Sequence, residues 1–251
     1  MDIDKEQAPA LDPGDEAVPA AVEELVRRGE EAMLLFDPEG YEEAVPLFRA
    51  AIEAAPAYAP AYAGLSETYS YWGFRRQVGG QESATLYGMA YDFAETALRL
   101  APELAAAHRA MAVALRRGRR KTDPDRRRQE VAVALELDPD DGRAWAESWR
   151  VNGYRLEDDA LKRALELAPD LCGLRIDLGA VYCELERYDE AVAELMRALK
   201  INPRNSLAYY DLAMALDRKG DRDKAAAVLG KARELHPDEP LIASGLALLE
   251  G

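Results

Sequence analysis

Six prolines, Pro56, Pro102, Pro139, Pro169, Pro203 and Pro237, each follow an Ala-rich stretch with helical spacing, and the last three stand 34 residues apart. A fixed period of that length marks an array of paired helices. A single helical pair cannot bury its apolar face, so each unit must lean on its neighbours. The 251 residues are therefore read as one elongated array rather than as one or two globular domains. Abundant Ala, Leu, Glu and Arg and a shortage of β-branched residues suit helices throughout and leave little for a sheet. The expected fold class is all-α.

The net charge of −15 opposes general binding to nucleic acid or to an anionic membrane, both of which need a broad positive field. No apolar stretch approaches the ~20 residues of a membrane helix. The acidic start, with Asp2, Asp4, Glu6, Asp12, Asp15 and Glu16, does not read as a secretory signal. A cytoplasmic location follows as the default expectation. Cys172 and Cys183 stand eleven residues apart in one expected helix, about 16 Å along its axis and beyond disulfide reach.

Between the last prolines the motif is more specific. Leu178-Gly179-x-x-Tyr182 is followed by Ala191-x-x-x-Leu195-x-x-Ala198 and Pro203, and Tyr209, Leu212, Ala213, Leu216, Ala225, Leu229, Ala232 and Pro237 repeat the pattern. The chain thereby resembles the tetratricopeptide repeat (TPR) family over residues 21–250. The resemblance implies a right-handed superhelical array of about six helix-turn-helix repeats, at 21–58, 59–104, 105–141, 142–171, 172–205 and 206–239, with a capping helix at 240–250. Residues 1–20 read as a disordered acidic tail, too poor in apolar area to offset their ordering entropy.

Two repeats depart from the pattern. The second carries an insertion between Tyr69 and Ala90, expected to lengthen both its helices around Gly79-Gly80, with Ser83 as N-cap. The fourth is short and has Trp149 where a small residue is usual, and Asn152-Gly153 should end its first helix early. In the third, Asp123-Pro124 should start the second helix. The first repeat is expected to turn at Asp37-Pro38-Glu39-Gly40.

Catalytic chemistry finds little support in the residues. The two histidines, His108 and His236, are isolated, and His108 takes the aromatic slot that Tyr62, Trp145 and Tyr209 fill elsewhere. No metal-ligand spacing or phosphate loop occurs. The chain reads as no enzyme, with no cofactor and no metal.

The resemblance implies a concave groove lined by the first helix of each repeat. Its centre should be cationic, through Arg109, Arg116, Arg117, Arg143 and Arg150, while repeat two should offer small Ala63 and Gly64 beside Glu67. Repeats five and six should offer Asp177, Tyr210, Asp211 and Met214. Around the centre lies a basic run from Arg116 to Arg128, read either as a solvated turn or as an anion site. The carboxylate clamp that some family members use for chaperone tails is not reproduced, since Val26, Glu30 and Gly64 stand at clamp positions.

Two further surfaces have two readings each. Tyr71, Trp72 and Phe74 either pack between lengthened helices or anchor a peptide. Leu241, Leu246 and Leu249 either cover repeat six or form an oligomer edge that makes a homodimer. The functional expectation is a non-enzymatic scaffold that binds a protein or peptide segment in its groove and assembles or regulates a cytoplasmic complex. The alternative is a structural protein that self-assembles through its repeat ends, and a weaker third reading is a subunit that senses a small anion at the arginines. The acidic tail is expected to compete in cis for the arginine centre.

Overall fold

The computed structural model describes residues 18–117 and 124–250, with side chains of Arg117 and Glu250 left aside. Residues 1–17 of the acidic tail and 118–123 of the basic run fall outside the described residues. Thirteen α-helices occur among those described: α1 (Ala20–Leu34), α2 (Pro38–Ala54), α3 (Ala59–Val78), α4 (Ala84–Leu100), α5 (Ala105–Arg117), α6 (Pro124–Leu137), α7 (Gly142–Val151), α8 (Asp159–Leu167), α9 (Cys172–Glu184), α10 (Tyr188–Ile201), α11 (Ser206–Lys219), α12 (Arg222–Leu235) and α13 (Pro240–Glu250). Successive helices pack in pairs, and first helices pack on one another from α1 through α3 and α5 to α7, and again from α9 through α11 to α13.

Pairing is tight because large side chains of second helices sit on glycines of first helices. The Phe48 ring, fully buried, lies between Gly29 and Gly64, where an added Cβ would overlap it. Leu195 lies on Gly179 and Tyr87 on Gly73 in the same way. A methyl group at these glycines would overlap the facing side chain and push the paired helices apart.

One hydrogen bond recurs along the array. Tyr62 Oη donates to the Pro56 carbonyl at 2.9 Å, Trp145 Nε1 to Pro139 at 2.8 Å, Arg175 Nε to Pro169 at 3.0 Å and Tyr209 Oη to Pro203 at 3.2 Å. His108 Nε2 meets the Pro102 carbonyl at 2.8 Å and its Nδ1 meets Glu130 Oε2 at 2.7 Å. The chemistry of this slot is thus a long side chain with a polar tip. That tip satisfies a carbonyl that the chain reversal after each proline leaves without a backbone donor.

The turns inside the pairs also share a conformation. Phe36, Gly80, Tyr154, Glu186 and Gly220 all take positive φ, between 58° and 97°, so three side chains accept a backbone state that favours glycine. At the first of these turns the expected reversal at residues 37–40 lies one step earlier. Asp37 caps α2, its Oδ1 accepting from Gly40 N at 2.7 Å, and Pro38 opens the helix. The cap and the fixed proline φ favour helix over turn.

The insertion in the second pair makes α3 and α4 long, 20 and 17 residues. Ser83 stands before α4 but its side chain makes no cap bond; Glu82 Oε1 accepts from Ala84 N at 2.6 Å instead. In the fourth pair α7 and α8 have only 10 and 9 residues. Trp149 fills the space between them, fully buried, with its Nε1 donating to the Arg155 carbonyl at 3.0 Å and its ring edge-on to Tyr154. This pair and α9 share a core of their own, built on Trp149, Leu161, Leu174 and Leu178.

Candidate functional site

The array coils until its first pair touches its fifth and sixth. Asn202 and Asn205, in the turn between α10 and α11, bond the turn between α1 and α2: Asn205 Nδ2 donates to the Phe36 carbonyl at 2.8 Å, and Asn202 Nδ2 to the Leu35 carbonyl at 2.9 Å and to Asp37. The Phe36 ring enters the gap beside Gly173 of α9 and lies edge-on to Tyr71 of α3 at 5.2 Å. Arg143 of α7 reaches Glu30 of α1 at 2.9 Å, and Arg75 of α3 reaches Ser206 of α11 at 2.6 Å. The main core accordingly runs from Val22 to Leu241 through both ends of the chain.

This closure changes the expected groove. The cationic centre is not an open surface, because carboxylates fill it. Glu67, fully buried, accepts from Arg109 Nε at 2.8 Å and from Arg143 Nη2. Arg109 also bonds Asp141. Glu147, fully buried, accepts from Arg127 Nη2 at 2.9 Å and lies 3.4 Å from Arg116 Nε and 3.6 Å from Arg150 Nη1. Arg150 Nε donates to Asp177 Oδ2 at 2.6 Å. Burial alone would raise the Glu67 carboxyl, but Arg109 and Arg143 outweigh it and hold it below the ordinary carboxylate range. Asp141 behaves alike, raised by burial and lowered further by the same two arginines. Arg109, Arg116, Arg143 and Arg150 are therefore neutralised inside the coil, since charges this deep persist only when paired. Arg117 belongs to α5, but its side chain lies outside the described residues.

The sequence put Glu67 in the groove through repeat two but did not pair it with the arginines, and it passed over Asp141 and Glu147. Glu147 lies three residues before Arg150 on α7, and that spacing puts the two on one face. Glu30 offered no local signal, because its partner is 113 residues away.

The acidic half of the groove is open in part. Phe36 covers its Gly173 edge, while Tyr210, Asp211 and Met214 of α11 remain half-buried and Glu184 of α9 is exposed. No hydrogen bond or ion pair reaches the Asp211 carboxylate among the described residues. Burial pushes that carboxyl up to about 7, helped by the negative charge of Asp177 and opposed by Arg75. The site is deep yet still reached by solvent.

The remaining expected residues are accounted for by packing. Tyr71 is buried against Phe36; Trp72 and Phe74 are half-buried and pack on the main core. On α13, Leu241 and Leu249 are buried, 5% and 9% exposed, and Leu246 packs on the core of α11 and α12. The expected oligomer edge is thus turned inward, because α13 is the outermost helix and spends its apolar face on the array; Leu248, 60% exposed, is what it leaves outside. Among the described residues no cluster of His, Cys, Asp and Glu could hold a metal ion, and no helix is long and apolar enough to cross a membrane.

Residues 186–249 match the family model of the tetratricopeptide repeat, in keeping with the paired-helix coil described above. Solved structures share this fold. The APC/C hetero-tetramer Cut9-Hcn1 matches with a TM-score of 0.62 at 16% identity, over 92% of this chain and 45% of that one. The human IFIT1 dimer with m7Gppp-AAAA matches with a TM-score of 0.66 at 18% identity, over 84% and 50%. Pseudomonas aeruginosa pilF matches with a TM-score of 0.50 at 15% identity, over 91% and 98%. The chain spans about half the length of the first two. No curated protein matches its sequence.

Proposed function

We propose that this protein is a non-enzymatic interaction scaffold of the cytoplasm whose open concave surface, on α9 and α11, takes a partner protein segment carrying a positive charge. The observation that carries the reading is Asp211, a deep carboxylate with no hydrogen bond or ion pair among the described residues, on which Arg75 acts only through space, while Arg109, Arg143 and Arg150 are each paired with a carboxylate. A Lys or Arg side chain entering beside Tyr210 and Met214 would supply the missing counter-charge, and those two side chains offer apolar contact for its neighbours. The net charge of −15 favours such a partner over nucleic acid. Free thiols at Cys172 and Cys183 accord with a reducing compartment.

In this reading Arg109, Arg116, Arg143 and Arg150 hold the coil closed, and binding falls to Asp177, Tyr210, Asp211 and Met214. A display library of basic, neutral and acidic peptides, selected on the full chain and on Asp211→Asn, tests it. Enrichment of basic peptides that Asp211→Asn loses supports the reading. Enrichment of acidic peptides, or of basic peptides that bind both proteins equally, overturns it.

A further inference from the structure

Among the described residues, Arg75 is a buried arginine whose one hydrogen-bond partner is neutral. It is 6% exposed. Its Nη2 donates to Ser206 Oγ at 2.6 Å, while Nε and Nη1 have no hydrogen-bond partner among the described residues. No carboxylate lies within ion-pair distance of it among the described residues; its charge acts on the Asp211 carboxyl only through space, and its partner Ser206 Oγ stands 3.4 Å from Glu239 Oε2. A guanidinium withdrawn from water without a counter-ion is costly, and such groups are retained where something completes them.

Arg75 also lines a cleft of about 510 Å³ at the seam where the start of α2 and the end of α3 meet the turn between α12 and α13. That volume suits a small ligand. Arg76 and Trp72 stand on the same wall, and Pro237 and Pro240 face them. Arg76 Nε is used by the Glu82 carbonyl at 2.9 Å, which fixes the side chain and leaves its terminal nitrogens. Glu39, Glu42 and Asp238 form an exposed acidic rim.

We propose that this seam cleft binds a small molecule or chain end that joins an oxyanion, a carboxylate or phosphate, to a positive charge. Arg75 and Arg76 take the oxyanion, as guanidinium groups do best. The acidic rim takes the cation and discourages simple or multiple anions. Because the cleft joins elements from the two ends of the chain, its occupant also tightens the closed coil. Arg75 acts on the Asp211 carboxyl through space, so Arg76→Gln, which leaves that interaction in place, separates this inference from the Asp211 reading.

The test uses the full chain with four probes at matched ionic strength: inorganic phosphate, phosphoethanolamine, acetate and Nα-acetyl-lysine. Binding is read by calorimetry and by tryptophan fluorescence, with Trp72→Phe assigning the optical signal to the cleft. One zwitterionic probe should bind saturably and about tenfold or more tighter than its simple anion, and the pair in which this occurs names the oxyanion. Arg75→Gln and Arg76→Gln should each weaken it by about tenfold or more. Should Arg75→Gln fail to fold, Arg76→Gln, on a half-buried residue, decides alone. The proposal is overturned if no probe binds above chloride, if the simple anions bind as well as the zwitterions, or if Arg76→Gln binds unchanged.

Discussion

The side-chain amide of Asn205 donates to the carbonyl of Phe36 at 2.8 Å across 169 residues of sequence. The same side chain caps α11, its Oδ1 accepting from Ala208 N at 3.0 Å. One asparagine thus starts a helix and closes the coil.

Asn205→Ala should therefore cost more than a lost cap. A cap alone is worth about 1 kcal/mol, and leaving buried carbonyls unpaired adds about 1–3 kcal/mol. Denaturant unfolding should show a loss of about 2–4 kcal/mol, and small-angle scattering should show a larger radius if the first pair swings away. A loss confined to the cap value, with unchanged dimensions, would mean that the closure rests on Phe36 packing alone.

Two buried carboxylates give opposite pH dependence. Glu67 has its folded value lowered, so its contribution is present above the unfolded value of about 4.3 and is lost as pH falls through the folded one. Asp211 has its folded value raised to about 7, so its contribution is present below about 3.9 and is lost as pH rises through 7. Stability should peak in mild acid, and the melting temperature should fall between pH 5 and 8. Asp211→Asn should flatten that fall and be more stable than the parent at pH 8, by on the order of 1–3 kcal/mol once solvent access is allowed for. A parallel pH profile in the variant would assign the slope to other groups.

Removing a member of the arginine network should destabilise the coil itself. Arg143→Ala strips Glu67 of one of its two partners and detaches Glu30; breaking a buried pair costs about 3–5 kcal/mol. Chemical denaturation checks this, and Arg128→Ala, an exposed arginine on α6, should stay within about 0.5 kcal/mol of the parent.

Gly64→Ala should be costly despite its small size. The new methyl would meet the Phe48 ring, which Gly29 confines from the other side, and overpacking of this kind costs about 1–3 kcal/mol. Combining it with Phe48→Leu should restore part of the loss, and a thermal melt of the single and double variants would show it.

The short fourth pair should open before the sixth. Its helices give few turns of backbone hydrogen bonding, and Trp149 is the largest side chain of the core they share with α9. Hydrogen exchange over residues 142–168 should be faster than over 206–235, and Trp149→Ala should cost about 3–5 kcal/mol.

The helical character of the chain and the family of its fold were legible because repeat signals are local: the prolines at 34-residue spacing and the Leu178-Gly179, Ala191 and Leu195 pattern each report on one helical pair and its neighbour. The slot that His108 shares with Tyr62, Trp145 and Tyr209 was visible in the same way, although Arg175 showed only in the structure that the slot asks for a polar tip rather than an aromatic ring. The state of the groove was not legible. Arg109, Arg143 and Arg150 lie on the faces their spacing gives them, yet whether they meet solvent or Glu67, Asp141 and Asp177 depends on how far the array coils. That coiling accumulates small rotations over many pairs and ends in contacts such as Asn205 with Phe36, between residues that no local pattern connects. Sequence periodicity sets which face each side chain shares; only the closed tertiary coil decides which charges are spent inside it and that the Asp211 carboxylate is left without a partner.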